Sequence, residues 1–375
     1  MQHHSTKSAK HRLNIAVPTA AAAMVIAAMV SLWGQERVPT ARLVSAPRLS
    51  LPGDIDSSNP LVWGLVGGLL RLFLLTSWGG VPIHSSGPSL DQLQRGAPAT
   101  FEPHPGHGVW MEAIVPDDLG AWYGYYHHER PADECGRNDR QLPNIGALRS
   151  TDQGRTWADL GIVIDAPPGS SVCDSANRFV LGGVGDVTAA LDHDKQNLYL
   201  YFSQFTRGAS TQGVAVARLA WADRDDPVGK VSIWNDGAWL SASSTTESEN
   251  GTPKTWTFPA GTPLVPASRP FHDGSPAADV FWGASIHWNT YLERYVMLLN
   301  RARDERFDNE GIYVSFAPAL DDPRQWTPPR KIMNDGEWYP QVVGLEAGSG
   351  TDRLAGKRAR FFILGKSEHT IEFEK

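Results

Sequence analysis

Apolar residues in this chain recur in short runs bounded by turn residues. Helical spacing is absent beyond the N-terminus. Runs of this kind read as strands. A unit repeats weakly in identity and clearly in pattern. An acidic or small polar residue opens an apolar strand, and a short turn follows. A second strand rich in Tyr, Phe, Leu and Val ends in Ser, His or Asn. A third strand follows, often with a Trp. The first copy starts at Asp56 and continues through Arg71–Ser77. The second starts at Glu112 and continues through Ala121–His127, then Ile145–Trp157. The third starts at Asp186 and continues through Leu198–Ser203, then Gly213–Trp221. The fourth runs Ala284–Tyr291, Tyr295–Asn300 and Gly311–Trp326; the fifth runs Tyr339–Leu345, Ala359–Leu364 and Thr370–Phe373.

Five copies give about 65 residues each, room for a propeller blade with long loops. The expected fold class is all-β. A repeated unit favours a five-bladed β-propeller over a sandwich. The run Leu61–Trp78, interrupted by Arg71 and Gly67–Gly68, reads as two buried strands around a Gly-Gly turn. Ser150–Trp157 (STDQGRTW) matches the S-x-D-x-G-x-T-W "Asp box" hairpin. Its Asp and Gly suit a tight turn, and it is assigned no catalytic role.

The N-terminus changes the picture. Lys7, Lys10 and Arg12 precede an uncharged stretch from Asn14 to Trp33, rich in Ala, Val, Ile and Met. This reads as an export signal peptide or a single membrane anchor, and the length fits either. Residues 1–46 are assigned to signal or anchor with linker, and 47–375 to the propeller. The protein is expected to be extracellular, periplasmic or membrane-anchored, and bacterial in type. Cys135 and Cys173 can pair in such a compartment or stay as small buried residues. The net charge of −7 argues against nucleic acid as a partner. The 14 Trp suit stacking on sugar rings as well as core packing. There is no G-x-S-x-G and no dinucleotide or phosphate loop.

In a propeller the first strands of the blades line one central funnel. The residues expected to converge there are Asp56, Glu112, Asp186, the pair Ser285 and His287, and Tyr339. Two carboxyl groups suffice for glycoside hydrolysis: one protonates the leaving oxygen, the other activates water or attacks the sugar. A third can tune the first by repulsion. Asp54 competes with Asp56, and both can simply cap a turn. Glu112 stands in an apolar context, where a carboxylate is costly unless paired or used. Asp186 lies among glycines, with Arg178 as an alternative partner. Of His127 and His128, adjacent on a strand, only one can face the funnel. Tyr126, Trp282, Trp288, Trp338 and Tyr339 are sugar-platform candidates.

On these residues the chain resembles the five-bladed glycosidases of glycoside hydrolase family 43 and its relatives, over most of residues 50–370. The resemblance implies Asp56 as base, Glu112 and Asp186 as the further acids, and His287 (in ASIHWN) as a central His that holds a metal ion or water. It departs in order, since that group has Asp on the second blade and Glu on the third. By length and reach Glu112 is assigned as general acid, Asp56 as base or nucleophile and Asp186 as the tuning partner. Inverting chemistry is expected by analogy alone. His127, His287, Trp282, Trp288 and Tyr339 are expected to contact a poly- or oligosaccharide substrate. No cofactor is required, and a structural calcium ion is the one ion anticipated. The rivals are a non-catalytic carbohydrate-binding or surface propeller and a sialidase. The latter resembles six-bladed propellers with an arginine triad and an Arg-Ile-Pro element, which is absent here.

Overall fold

The computed structural model describes Met1 and residues 37–244, 255–272 and 277–375. The positive cluster and apolar stretch expected to direct export lie outside these residues. Pro39–Lys375 form one compact unit. Among the described residues no helix is long and apolar enough to cross a membrane.

The protein is a five-bladed β-propeller. The first blade has strands Leu61–Val66, Leu69–Trp78 and Val81–Gly87. Gly67 and Gly68 join the first two with φ of 58° and 81°, the left-handed pair that a two-residue hairpin turn requires. The second blade runs outward through Gly108–Pro116, Trp122–Ala132, Arg137–Ser150 and Thr156–Ile164, with Thr100–Phe101 added in parallel at its outer edge. Val184–Leu191, Asn197–Gln204 and Gly213–Ala220 begin the third blade. Phe281–Asn289, Arg294–Ala302, Asn309–Ala317 and Arg330–Asn334 make the fourth.

The fifth blade combines both ends of the described chain. Pro340–Gly344, Arg358–Ile363 and Lys366–Glu374 are completed by Thr40–Ser50, antiparallel to the last strand from Thr40 opposite Glu374 to Ser50 opposite Lys366. The propeller therefore uses residues within the stretch read from sequence as linker.

Closure of the ring is visible in the core. Each seam between successive blades holds its own apolar cluster. Val62, Phe73 and Leu75 meet Met111 and Trp157 between blades one and two. Tyr123 and Tyr125 meet Leu198, Leu200 and Phe202 between two and three. Tyr199 and Tyr201 meet Ile286 and Met297 between three and four. Val296 and Leu298 meet Phe361 and Phe373 between four and five. Leu61, Leu72 and Leu74 meet Val343 and Phe362 between five and one. This explains the sequence pattern. In LYLYFS the Leu and Phe side chains pack on one neighbour and the Tyr side chains on the other, so a strand buried on both faces reads as a continuous apolar run.

Ser150–Trp157 forms the turn of a second-blade hairpin. Asp152 Oδ1 accepts the N–H groups of Arg155 and Thr156 at 3.1 and 2.9 Å, and Trp157 Nε1 donates to the Gly154 carbonyl at 2.9 Å. Trp122 pairs with Ser150 while His127 pairs with Ile145. The turn is thus five residues, about 17 Å, along the strand from His127. Cys135 and Cys173 form a disulfide, with Cα atoms 5.1 Å apart.

Candidate active site

Three inner strands carry a β-bulge, between Met111 and Ala113, between Gly185 and Thr188, and between Trp282 and Ser285. A bulge re-aims the residue it contains. In the second blade that residue is Glu112. In the third it is Asp186, held at φ 44°, a left-handed conformation that a non-glycine residue adopts at a cost.

Polar residues of the second strands clasp the next blade at these points. Ser77 Oγ accepts the Met111 N–H at 3.0 Å, His127 Nδ1 accepts the Asp186 N–H at 3.0 Å, and Ser203 Oγ accepts the Gly283 N–H at 3.0 Å. The bulged backbone is thereby satisfied although it is cut out of the ladder.

Glu112 is 3% exposed, and its Oε2 accepts the Val187 N–H at 2.6 Å. Ligand atoms of Glu112, His127 and Asp186 lie within 4.8 Å of one another. His127 Nδ1 is 3.7 Å from Asp186 Oδ1, and its Nε2 is 3.7 Å from Glu129 Oε1. Asp56 sits in the loop before the first blade, its N–H donating to the Ser77 carbonyl at 2.8 Å.

The carboxyl groups are close enough to set one another's protonation. Burial, then repulsion by Asp186, pushes Glu112 well above the usual carboxylate range. Burial, then Glu129 and Asp186, pushes Asp56 up to about 6. Burial also raises Glu129. On His127 burial works against a charge, but Asp186, Glu112 and Glu129 outweigh it and hold the ring up to about 9. Two demands meet at Nδ1. The amide bond from Asp186 is shorter than the approach of the Asp186 carboxylate, and it requires a bare Nδ1. In this geometry the ring proton sits on Nε2, facing Glu129. Protonation of Nδ1 would break this hydrogen bond, so the Asp186 N–H opposes the upward push of the carboxylates.

Asp56, Glu112, Asp186 and His127 are therefore brought together as expected from sequence. Tyr339 joins them. It is buried at φ 57°, and burial, then the charges of Asp186, Asp56, Glu112 and Glu129, raise its hydroxyl. Trp282 borders the same group, with its ring 5.9 Å from that of Tyr339.

His287 and Trp288 are not part of it. His287 lies in the seam between blades four and five, its ring 5.6 Å from Phe373, and burial alone lowers it to about 3. Trp288 packs on His193 and Tyr295, and six residues of strand, about 20 Å, separate it from Trp282. Ser285 Oγ donates to the Pro340 carbonyl at 2.7 Å and joins blades four and five. The physical reason is the bulge. It puts Gly283 and Ala284 at the fourth-blade position that corresponds to Glu112 and Asp186. Arg178 is exposed, and the partner of Asp186 is His127.

Glu129 is the site residue that sequence reading left out. It lies two residues after His127 and so on the same face, and the motif His127–His128–Glu129 already contained that signal. His128 faces away, with Nδ1 2.9 Å from Asn144 Oδ1. The donors that could hold a metal are Glu112, His127 and Asp186. Two carboxylates and an imidazole do not make the oxygen shell that calcium takes, so calcium does not fit this cluster.

No family model matches the chain, and no curated protein matches it. Among solved structures it is similar to a thermostable family-43 glycoside hydrolase, at 11% identity over 87% of this chain and 92% of that one, with a TM-score of 0.48. It is similar to an endo-arabinase from Bacteroides thetaiotaomicron, at 10% identity over 89% of this chain and 96% of that one, TM-score 0.48. It is also similar to a family 117 glycoside hydrolase from the marine bacterium Zobellia galactanivorans, at 11% identity over 90% of each chain, TM-score 0.47.

Proposed function

We propose that this protein is a glycoside hydrolase acting on a poly- or oligosaccharide by carboxylate acid–base catalysis. The observation that carries this reading is the convergence of Glu112 and Asp186 on His127, with Glu129 and Asp56 beside them. Burial and Asp186 push Glu112 well above the usual carboxylate range, while Asp56 is pushed up to about 6. Environments that push two carboxyl groups apart separate an acid from a base.

In this mechanism Glu112 donates its proton to the leaving glycosidic oxygen. Asp56 activates water or attacks the sugar. Asp186 is assigned as the tuning partner, because after burial its charge is the largest influence on Glu112. His127 anchors the Asp186 backbone through Nδ1. The acid–base route uses only side chains of this chain.

The test is hydrolysis of arabinose-, xylose-, galactose- and fructose-containing glycans by the full chain beside its Glu112→Gln variant. Turnover by the parent that vanishes in the variant supports the assignment. Glycan binding without turnover moves the reading to a non-catalytic carbohydrate-binding propeller. The sialidase reading is weaker on five blades. An exported protein is also part of this proposal, with attachment to a membrane through the N-terminal segment left as its variant form. The Cys135–Cys173 disulfide supports an oxidising compartment.

A further inference from the structure

The aromatic residues beside the acids continue to the surface. Trp338 packs 6.3 Å from Tyr339 and 5.6 Å from Trp282, edge-on to both. Its Nε1 donates to the Phe307 carbonyl at 2.8 Å, which fixes the ring. Phe179 stands edge-on to Trp338 at 5.7 Å and is 44% exposed. An apolar path thus leads from Tyr339, among the carboxyl groups, to an exposed ring at the surface.

The loop that carries Phe179 is fastened on several sides. Asn177 Oδ1 accepts the N–H groups of Phe179 and Val180 at 2.8 and 2.9 Å, and Asn177 Nδ2 donates to the Glu305 carbonyl at 2.8 Å. The Phe179 carbonyl accepts the Gln141 N–H at 3.0 Å. The Cys135–Cys173 disulfide ties the same loop to the second-blade hairpin. A ring held this firmly loses little freedom when something stacks on it.

We propose that the exposed ring of Phe179, backed edge-on by Trp338, forms an aromatic shelf for the sugar ring next to the one bound among the carboxyl groups, with the disulfide-tied loop setting its position. This rests on the glycoside hydrolase reading. The shelf is continuous with the acid cluster through Tyr339, and the apolar faces of sugar rings match flat aromatic surfaces of this kind. The chain then prefers substrates of two or more sugar units.

The experiment compares full-length parent and Phe179→Ala on arabino-, xylo-, galacto- and fructo-oligosaccharides of increasing length, and on the glycosyl fluoride of each sugar, which has no adjoining ring. Binding of the oligosaccharides to the Glu112→Gln chain, with and without Phe179→Ala, is measured by calorimetry. The expected result is a KM for oligosaccharides raised roughly five- to tenfold, with fluoride hydrolysis unchanged. Phe179→Trp restores the parent KM, and the double variant Cys135→Ser with Cys173→Ser reproduces the rise. Equal effects on fluoride and oligosaccharide, or none on either, overturn the shelf and leave the hydrolase standing. Binding that weakens in Phe179→Ala without any turnover by the parent supports the shelf and overturns the hydrolase. Neither binding nor cleavage of any oligosaccharide overturns both.

Discussion

The backbone N–H of Asp186 donates to Nδ1 of His127 at 3.0 Å, across the seam between the third and second blades. One imidazole thus satisfies a bulged backbone, holds a carboxylate-bearing residue at positive φ, and turns its other nitrogen toward Glu129. Gly185 makes this possible. A Cβ on it would lie 2.5 Å from the His127 ring. The backbone conformation at Gly185 is open to alanine, so the objection is steric. Gly185→Ala is expected to displace His127 and to lower kcat/KM by at least about tenfold, at a stability cost of about 1–3 kcal/mol. Kinetics and thermal unfolding of the purified variant check both.

The pH dependence follows from Asp56 and Glu112. The base must be ionised and the acid protonated. With Asp56 at about 6, kcat/KM is expected to fall below about pH 6, while Glu112 keeps its proton well above the ordinary carboxylate range. The charge of Asp186 raises both groups, so Asp186→Asn moves the acid limb downward. A pH–rate profile of parent and variant measures the shift.

Removing the acid should stabilise the fold. A carboxyl group whose folded pKa lies above its unfolded value supports the fold fully at low pH, and that support is lost as pH rises through the folded pKa. For Asp56 the window runs from 3.8 to about 6; for Glu112 it extends well above 4.5. Glu112→Gln cannot ionise, yet its amide oxygen can still accept the Val187 N–H. Near pH 7.5 its melting temperature is expected to exceed that of the parent, with turnover reduced about 10²–10⁴-fold. Calorimetric scans at pH 4 and 7.5 test the sign, since the gain should shrink at the lower pH.

Ser203 offers a purely structural comparison. Its Oγ accepts the buried Gly283 N–H, and alanine would leave that donor unpaired. Ser203→Ala is expected to cost about 1–3 kcal/mol in denaturant unfolding.

The outer strand of the fifth blade makes a further prediction. Deleting residues 1–38 spares Thr40–Ser50 and serves as the reference. Deleting residues 1–50 removes the strand paired with Lys366–Glu374 and should lower the melting temperature by more than about 5 °C or prevent folding. Scans of the two truncations decide this.

Blade count, all-β class and the approach of Asp56, Glu112 and Asp186 were legible in the chain, because each blade repeats one pattern of short runs buried on both faces. Even the Ser or His that closes the apolar run of the second strands was visible, as Ser77, His127 and Ser203 show, although the strand of His127 runs on to Ala132. Its meaning was not, since the clasp joins residues far apart in sequence. Tertiary structure alone decided what the bulges do. Both faces of this strand pack on neighbouring blades, so His287 ends in a seam, while the bulge gives Gly283 and Ala284 the position held by Glu112 and Asp186 in the earlier blades. It also decided protonation. The sequence supplies the carboxyl groups, but burial and mutual distance, which exist only in the folded ring, push Glu112 well above the usual carboxylate range and Asp56 up to about 6.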